Sequence, residues 1–116
     1  MTKRILSVLA MMSIAAMMML SSCTAAGVEC GLIGQWEYVN GSDNFKQTIE
    51  ITADDKITSV ESYRGEEQKE EGTIEEVTGK AIIYKEKDST VKSVLEYSDL
   101  NGDTVKFRGS TFKKVN

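Results

Sequence analysis

The stretch "DLNGDTVKFRGSTFKKV", residues 99–115, contains two turn signals separated by a short run of alternating residues. Asn101-Gly102 is a strong hairpin signal, because a type I′ turn needs a positive φ at both of its central residues. After it, Val105 and Phe107 fall on one face of the chain and polar side chains fall on the other. Such period-two patterning is typical of an antiparallel strand with one face in water.

The same pattern recurs upstream, with turn formers about every ten residues. The predicted strands cover residues 33–40, 45–52, 56–63, 68–77, 80–85, 91–98, 104–108 and 111–115. No segment has a long helical stripe, which excludes a parallel sheet crossed by helices. Short links predict an up-and-down meander in which each strand pairs with the one before it. We expect about eight strands to close into a small all-β barrel, since closure removes unpaired edges. The alternative is an open or two-layer sandwich.

The chain begins with features of a secretory leader. Lys3 and Arg4 are followed by an apolar run over residues 5–20 and then by small residues. Residues 1–22 are therefore predicted to be a signal peptide. The alternative is a retained transmembrane helix, because the uncharged stretch is long enough to span a bilayer.

Leu20-Ser21-Ser22-Cys23 resembles the lipobox of bacterial lipoproteins. The resemblance implies cleavage before Cys23, a diacylglycerol on its thiol and an acyl chain such as palmitate on its amine. Residues 23–30 then form a lipidated N-terminus and a short tether, and Cys23 is no disulfide partner for Cys30. The location implied is the cell envelope, on the outer membrane. The alternative is an ordinary signal peptide that leaves Cys23 as a thiol.

Residues 31–116 resemble bacterial lipocalin-like domains. The stretches that carry the resemblance are "LIGQWEY" (32–38), "TIEITADDK" (48–56) and "GDTVKFRGSTFKKVN" (102–116). In this family a Gly-x-Trp element opens the first strand, and its tryptophan caps one end of the barrel against a late basic residue. The resemblance therefore implies that Trp36 is the barrel cap and that Arg108 is its basic partner.

Composition limits the chemistry. The net charge is −4, and loss of Lys3 and Arg4 with the leader makes it −6, which argues against binding nucleic acid or anionic lipid by charge. The sequence contains no histidine, which excludes triads with a histidine base and imidazole metal sites. We expect no enzyme activity, no cofactor and no metal.

Two acidic stretches are best interpreted as hairpins. "GEEQKEEGTIEE", residues 65–76, is predicted to be a solvated hairpin; the alternative is an acidic surface for a basic partner or loosely held calcium. "DLNGD", residues 99–103, resembles the start of a calcium loop. The positions that would need glycine and glutamate hold Thr104 and Ser110, so a hairpin turn is the better interpretation.

The function expected from these features is a non-catalytic, membrane-anchored binding or interaction module of the bacterial envelope. Its partner would be another envelope protein or a small apolar molecule. The large apolar residues are numerous enough to fill a barrel, which favours a solid interior. A cavity would instead favour a ligand carrier. A third possibility is a protease inhibitor that inserts residues 24–30 into an enzyme cleft.

Overall fold

A computed structural model describes residues 23–115, and the predicted leader lies outside them. Eight antiparallel strands form a closed barrel. The all-β barrel prediction is confirmed, and the sandwich alternative is wrong. The strands are β1 (Gly34–Tyr38), β2 (Phe45–Ile51), β3 (Lys56–Tyr63), β4 (Glu66–Thr78), β5 (Ala81–Glu86), β6 (Lys92–Asn101), β7 (Thr104–Phe107) and β8 (Ser110–Val115). Among residues 23–115, no helix has the length and apolar character needed to cross a bilayer.

Each strand pairs with the one before it, and β1 also pairs with β8 to close the sheet. The closing register runs from Gln35 opposite Val115 to Tyr38 opposite Phe112. This confirms the predicted meander. Closure also gives β1 and β8 backbone partners on both sides, so neither is left as an unpaired edge.

The hairpin at Asn101-Gly102 exists, but its turn lies one residue further along than the sequence indicates. Asn101 pairs with Thr104, so Gly102 and Asp103 are the central residues. Only Gly102 has a positive φ, 62°, which matches a type II′ turn with glycine first. The shift arises because β6 has an irregularity between Ser98 and Asn101, which changes the register before the turn.

Type I′ geometry occurs instead in two Arg-Gly turns. Arg64 and Gly65 have φ angles of 51° and 84° between β3 and β4. Arg108 and Gly109 have φ angles of 51° and 82° between β7 and β8. Both turns lie at one end of the barrel, which we name the open end. The opposite end, which carries the N-terminal segment 23–33, is the plugged end.

The core follows the alternation seen in the sequence. Ile49 and Ile51 of β2, Leu95 of β6 and Val105 and Phe107 of β7 all point inward and are buried, as predicted. Part of the interior is filled by packed aromatic rings. The contacts there are Trp36 with Phe107, 6.1 Å between ring centroids, and Phe107 with Phe112, 5.2 Å.

Residues 23–30 were expected to be a tether, and the structure shows otherwise. Thr24 and Val28 are buried, and the Val28 N–H donates to the Thr24 hydroxyl at 3.0 Å. The Ala26 N–H donates to Oδ2 of Asp55, in the β2–β3 turn, at 3.2 Å. Val28 and Leu32 both have 0% exposure, so removing them from water favours folding this segment over the barrel end.

The two cysteines are also closer than expected. Cys23 and Cys30 form a disulfide, with their Cα atoms 4.7 Å apart. The expectation that they are unrelated is therefore wrong. The reason is the folded segment itself, in which the Cys23 N–H donates to the Val28 carbonyl and turns the chain back on itself. A tether without this turn would have left the sulfurs apart.

Candidate functional site

A cavity of about 280 Å³ occupies the barrel interior next to the open end. We call it the cup. Its lower wall is apolar and formed by Ile49, Ile57, Tyr84, Leu95, Phe107 and Phe112. Its upper wall is polar and formed by Gln47, Ser59, Glu61, Glu70, Arg108 and Ser110. The sequence favoured a solid interior and left a cavity as the alternative, and the structure shows the cavity.

The cup exists because the inward positions near the open end carry small or polar side chains. Ser59 and Ser110 point inward where β3 and β8 approach that end. Gly72 contributes no side chain at all, and a Cβ there would lie 2.9 Å from both the Lys85 carbonyl oxygen and the Tyr84 ring. The glycine lets the Tyr84 ring lie flat against β4 and form part of the apolar wall.

Three carboxylates lie on neighbouring strands around the mouth of the cup. Glu61 on β3 follows the inward-facing Ile57 and Ser59 at intervals of two. On β4, Glu70 lies two residues before the inward-facing Gly72. On β5, Glu86 lies two residues after the inward-facing Tyr84. Because side chains alternate between the two faces of a strand, all three carboxylates point inward, along one side of the mouth.

Glu70 is electrostatically coupled to this group. The pKa of the Glu70 carboxyl is raised above its ordinary value. The largest cause is partial burial, and the neighbouring carboxylates of Glu86 and Glu61 add to it, whereas Arg108 opposes the shift. Both neighbouring carboxylates thus act on Glu70 across the sheet. The cup itself is lined by Glu61, Glu70 and Arg108, and Glu86 lies beside Glu70 in an adjoining depression that Lys69 and Lys87 also line.

Arg108 was expected to pack on Trp36, and the structure places it elsewhere. Its guanidinium donates to the Val94 carbonyl at 3.1 Å at the open end. The cation over the Trp36 ring is Lys114, whose Nζ lies 5.5 Å from the ring centroid. The assignment was wrong because Arg108 occupies a turn, whereas Lys114 is the direct partner of Trp36 in the β1–β8 register. Trp36 itself is fully buried beside the plugged end.

The acidic stretch at residues 65–76 is largely the solvated hairpin that was predicted. Most of β4 up to Glu71 is exposed, and Glu71 pairs with Lys69 at 3.1 Å. The sequence interpretation missed that Glu70 and Glu61 face the cup. The signal was available, because both lie an even number of residues from a buried isoleucine, Ile74 or Ile57.

Large apolar side chains are exposed around the same end. Val39 follows β1, Tyr63 ends β3 and Val91 precedes β6, with 52%, 56% and 70% exposure. All three positions belong to the open end, where these strands start or finish. The cup therefore opens onto a rim that is partly apolar.

Other candidate chemistry is located as follows. Residues 99–103 belong to the end of β6 and its turn, as the hairpin interpretation predicts. Among residues 23–115, no three cysteine or carboxylate side chains converge in a geometry that could hold a metal. Residues 24–30, needed as an extended arm by the inhibitor hypothesis, are packed on the barrel instead.

Comparisons with known proteins bear on the fold. No protein family and no curated protein matches the sequence. A solved structure of a lipoprotein, YedD from Klebsiella pneumoniae, is similar with a TM-score of 0.60 at 12% sequence identity. The match covers 77% of this chain and 75% of that one. At this identity the likeness shows a shared fold alone.

Proposed function

We propose that this protein is a non-catalytic binding protein of the bacterial cell envelope, held at the outer membrane by lipid on Cys23. The binding site is the cup, and its ligand is a small molecule with an apolar body. The observation that carries the proposal is a cavity bounded by six apolar side chains at its base and open at one barrel end.

The cup has the features of a small-ligand site. Its volume of about 280 Å³ is close to the lower end of the usual range for ligand pockets. Leu95, Phe107 and Phe112 are nearly fully buried, so their positions are fixed before any ligand arrives. A preformed apolar wall lowers the ordering cost of binding.

The anchor rests on the lipobox-like residues 20–23 and on the similar structure being that of a lipoprotein. Because residues 23–33 pack on the plugged end, lipid on Cys23 would hold that end against the bilayer. The mouth of the cup would then face away from the membrane. A single Cys23 sulfur supports either a thioether to lipid or a disulfide to Cys30, so the two states exclude each other.

The cup is tested by calorimetric titration with octanol, a neutral amphiphile. Wild type should bind it, and Ser59→Phe should abolish binding because the new ring occupies the cavity. Thr58→Phe places the same ring one residue away, on the other face of β3, and should bind like wild type. Absence of octanol binding in wild type, or equal binding in both variants, would contradict the proposal.

The anchor is tested by mass spectrometry of protein from bacterial membranes. We expect a chain that begins at Cys23 with a diacylglycerol thioether and an acylated amine. Cys23→Ser should lose the lipid and membrane attachment, whereas Cys30→Ser should keep both. Recovery of a lipid-lacking wild-type chain that still contains the disulfide would show that the anchor is wrong.

A second candidate is interaction with another envelope protein through the apolar rim. Val39, Tyr63 and Val91 are the observation in its favour, because they expose apolar surface at the end that would face away from the bilayer. Replacing all three by serine should weaken such an interaction in crosslinking of intact cells while leaving octanol binding unchanged. An unaltered crosslinking pattern would count against this candidate.

A further inference from the structure

We infer that the ligand of the cup is an amphipathic cation, with an apolar tail against the lower wall and an ammonium-type head between Glu61 and Glu70. This inference rests on the proposed function, since it names the class of molecule that the same cavity takes. It depends on the cup and its charges together, and not on the carboxylates alone.

The apolar part of the argument is the lower wall. Its isoleucine, leucine and phenylalanine side chains leave an alkyl or aryl group with apolar contacts at the base of the cup. Polar groups line the cup only nearer the mouth. A ligand that fits this division has one apolar end and one polar end, with the polar end towards the solvent.

The charge of the polar end follows from the mouth. Glu61 and Glu70 line the mouth, Glu86 lies beside Glu70, and Arg108 is the cation of the cup lining that acts on Glu70. The Arg108 guanidinium already donates to the Val94 carbonyl, which occupies part of its hydrogen-bonding capacity. The carboxylates therefore outnumber the guanidinium, and a positive head offsets their mutual repulsion.

Among residues 23–115, no ion pair joins a lysine to Glu61 or Glu70, although Lys69 and Lys87 border the depression beside Glu70. Lys69 pairs with Glu71 on the outer surface at 3.1 Å, and Lys87 also acts on Glu71, lowering the pKa of that carboxyl after the larger effect of Lys69. The other ion pairs found within residues 23–115 join Lys92 to Glu75 and Lys106 to Asp99, again on the outside. The inward carboxylates thus remain available to a ligand.

The test compares octylamine, octanol and octanoate by calorimetric titration at low and high salt. The three share one tail and differ in the charge of the head. Wild type should bind octylamine on the order of tenfold more tightly than octanol, as expected for hydrogen bonds to charged groups. Octanoate should bind most weakly, and added salt should reduce the differences.

Substitutions at the mouth test whether its carboxylates cause the preference for octylamine over octanol. The double substitution Glu61→Gln and Glu70→Gln should bring the affinity for octylamine close to the affinity of the same variant for octanol. The matched control, Glu37→Gln with Glu50→Gln, removes two exposed carboxylates from the outer face and should keep the preference.

The outcomes separate this inference from the proposed function. Tighter binding of octanoate would show that Arg108 selects anions and would overturn the inference. Equal binding of all three would show that the head is not recognised, and would overturn it while the cup remains a ligand site. Failure of all three to bind would instead contradict the proposed function itself.

Discussion

The indole N–H of Trp36 donates a hydrogen bond to the backbone carbonyl of Leu32 at 2.9 Å. This bond joins the first strand of the barrel to the segment that covers its plugged end. Both residues have 0% exposure, so the bond lies out of reach of water. The plug is therefore fixed to the core both by apolar packing and by a buried polar contact.

Replacing Trp36 by alanine should lower the free energy of unfolding by roughly 3–5 kcal/mol, the usual cost of deleting a buried large aromatic side chain. Trp36→Phe should cost less, since it keeps a ring but leaves the Leu32 carbonyl without its donor. Urea unfolding measures both. Glu37→Ala, an exposed neighbour on β1, is the control and should change stability by about 0.5 kcal/mol or less. A Trp36→Ala variant as stable as wild type would contradict the buried position.

Gly72→Ala should destabilise the barrel by about 1–3 kcal/mol, because the new methyl group would meet the Lys85 carbonyl oxygen at 2.9 Å. Backbone atoms in a paired strand have little room to move aside. Thermal unfolding is the measurement, and Thr73→Ala on the outer face of β4 is the control. Equal melting temperatures for the two variants would show that β5 can shift to accommodate a side chain.

Asp55 links the β2–β3 turn to the plug, since its Oδ2 accepts the Ala26 N–H. Asp55→Ala should cost about 1–2 kcal/mol because the partly buried Ala26 N–H loses its acceptor. Asp55→Asn keeps an acceptor and tolerates the left-handed φ of 61°, so it should stay close to wild type. Amide hydrogen exchange should accelerate at Ala26 in the alanine variant alone. Unchanged exchange there would contradict the linkage.

The pKa of Glu70 is raised, first by partial burial and then by Glu86 and Glu61. The folded state therefore holds the Glu70 proton more tightly than the unfolded chain does. By linkage, this contribution to stability is present below the ordinary glutamate pKa of 4.5 and is lost as pH rises through the folded value. Glu70→Gln should make the fall in melting temperature between acidic and neutral pH shallower. A profile that parallels wild type would contradict the coupling at the mouth.

Burial, and then the Glu29 carboxylate, raises the pKa of Tyr97 to about 12. In an alkaline absorbance titration, a tyrosine ionisation near pH 12 should therefore be observed. The folded state favours the protonated phenol, so stability should fall as pH rises above about 10, the ordinary tyrosine pKa. Glu29→Gln should bring the late ionisation to lower pH. An ionisation near pH 12 that is unchanged in Glu29→Gln would show that Glu29 does not act on Tyr97.

The positions of the strands and their up-and-down order could be predicted from the amino-acid sequence. Alternation is a local property with a period of two, so Ile49, Leu95 and Phe107 could be assigned to the interior without coordinates. The same alternation predicts that Glu61 and Glu70 point inward. Their position in or beside an acidic run led to the interpretation of a solvated hairpin instead. Barrel closure followed from strand number and short links, which are also readable along the chain.

The plug at one end of the barrel and the cup at the other could not be predicted without the folded structure. The plug depends on Val28 and Leu32 meeting a core assembled from strands far along the chain, and such contacts leave no periodic signal. The Cys23–Cys30 pairing and the position of Lys114 over Trp36 follow from that arrangement. The cup was equally hidden, because an empty volume depends on how side chains from seven strands fit together and not on how many apolar residues the chain contains.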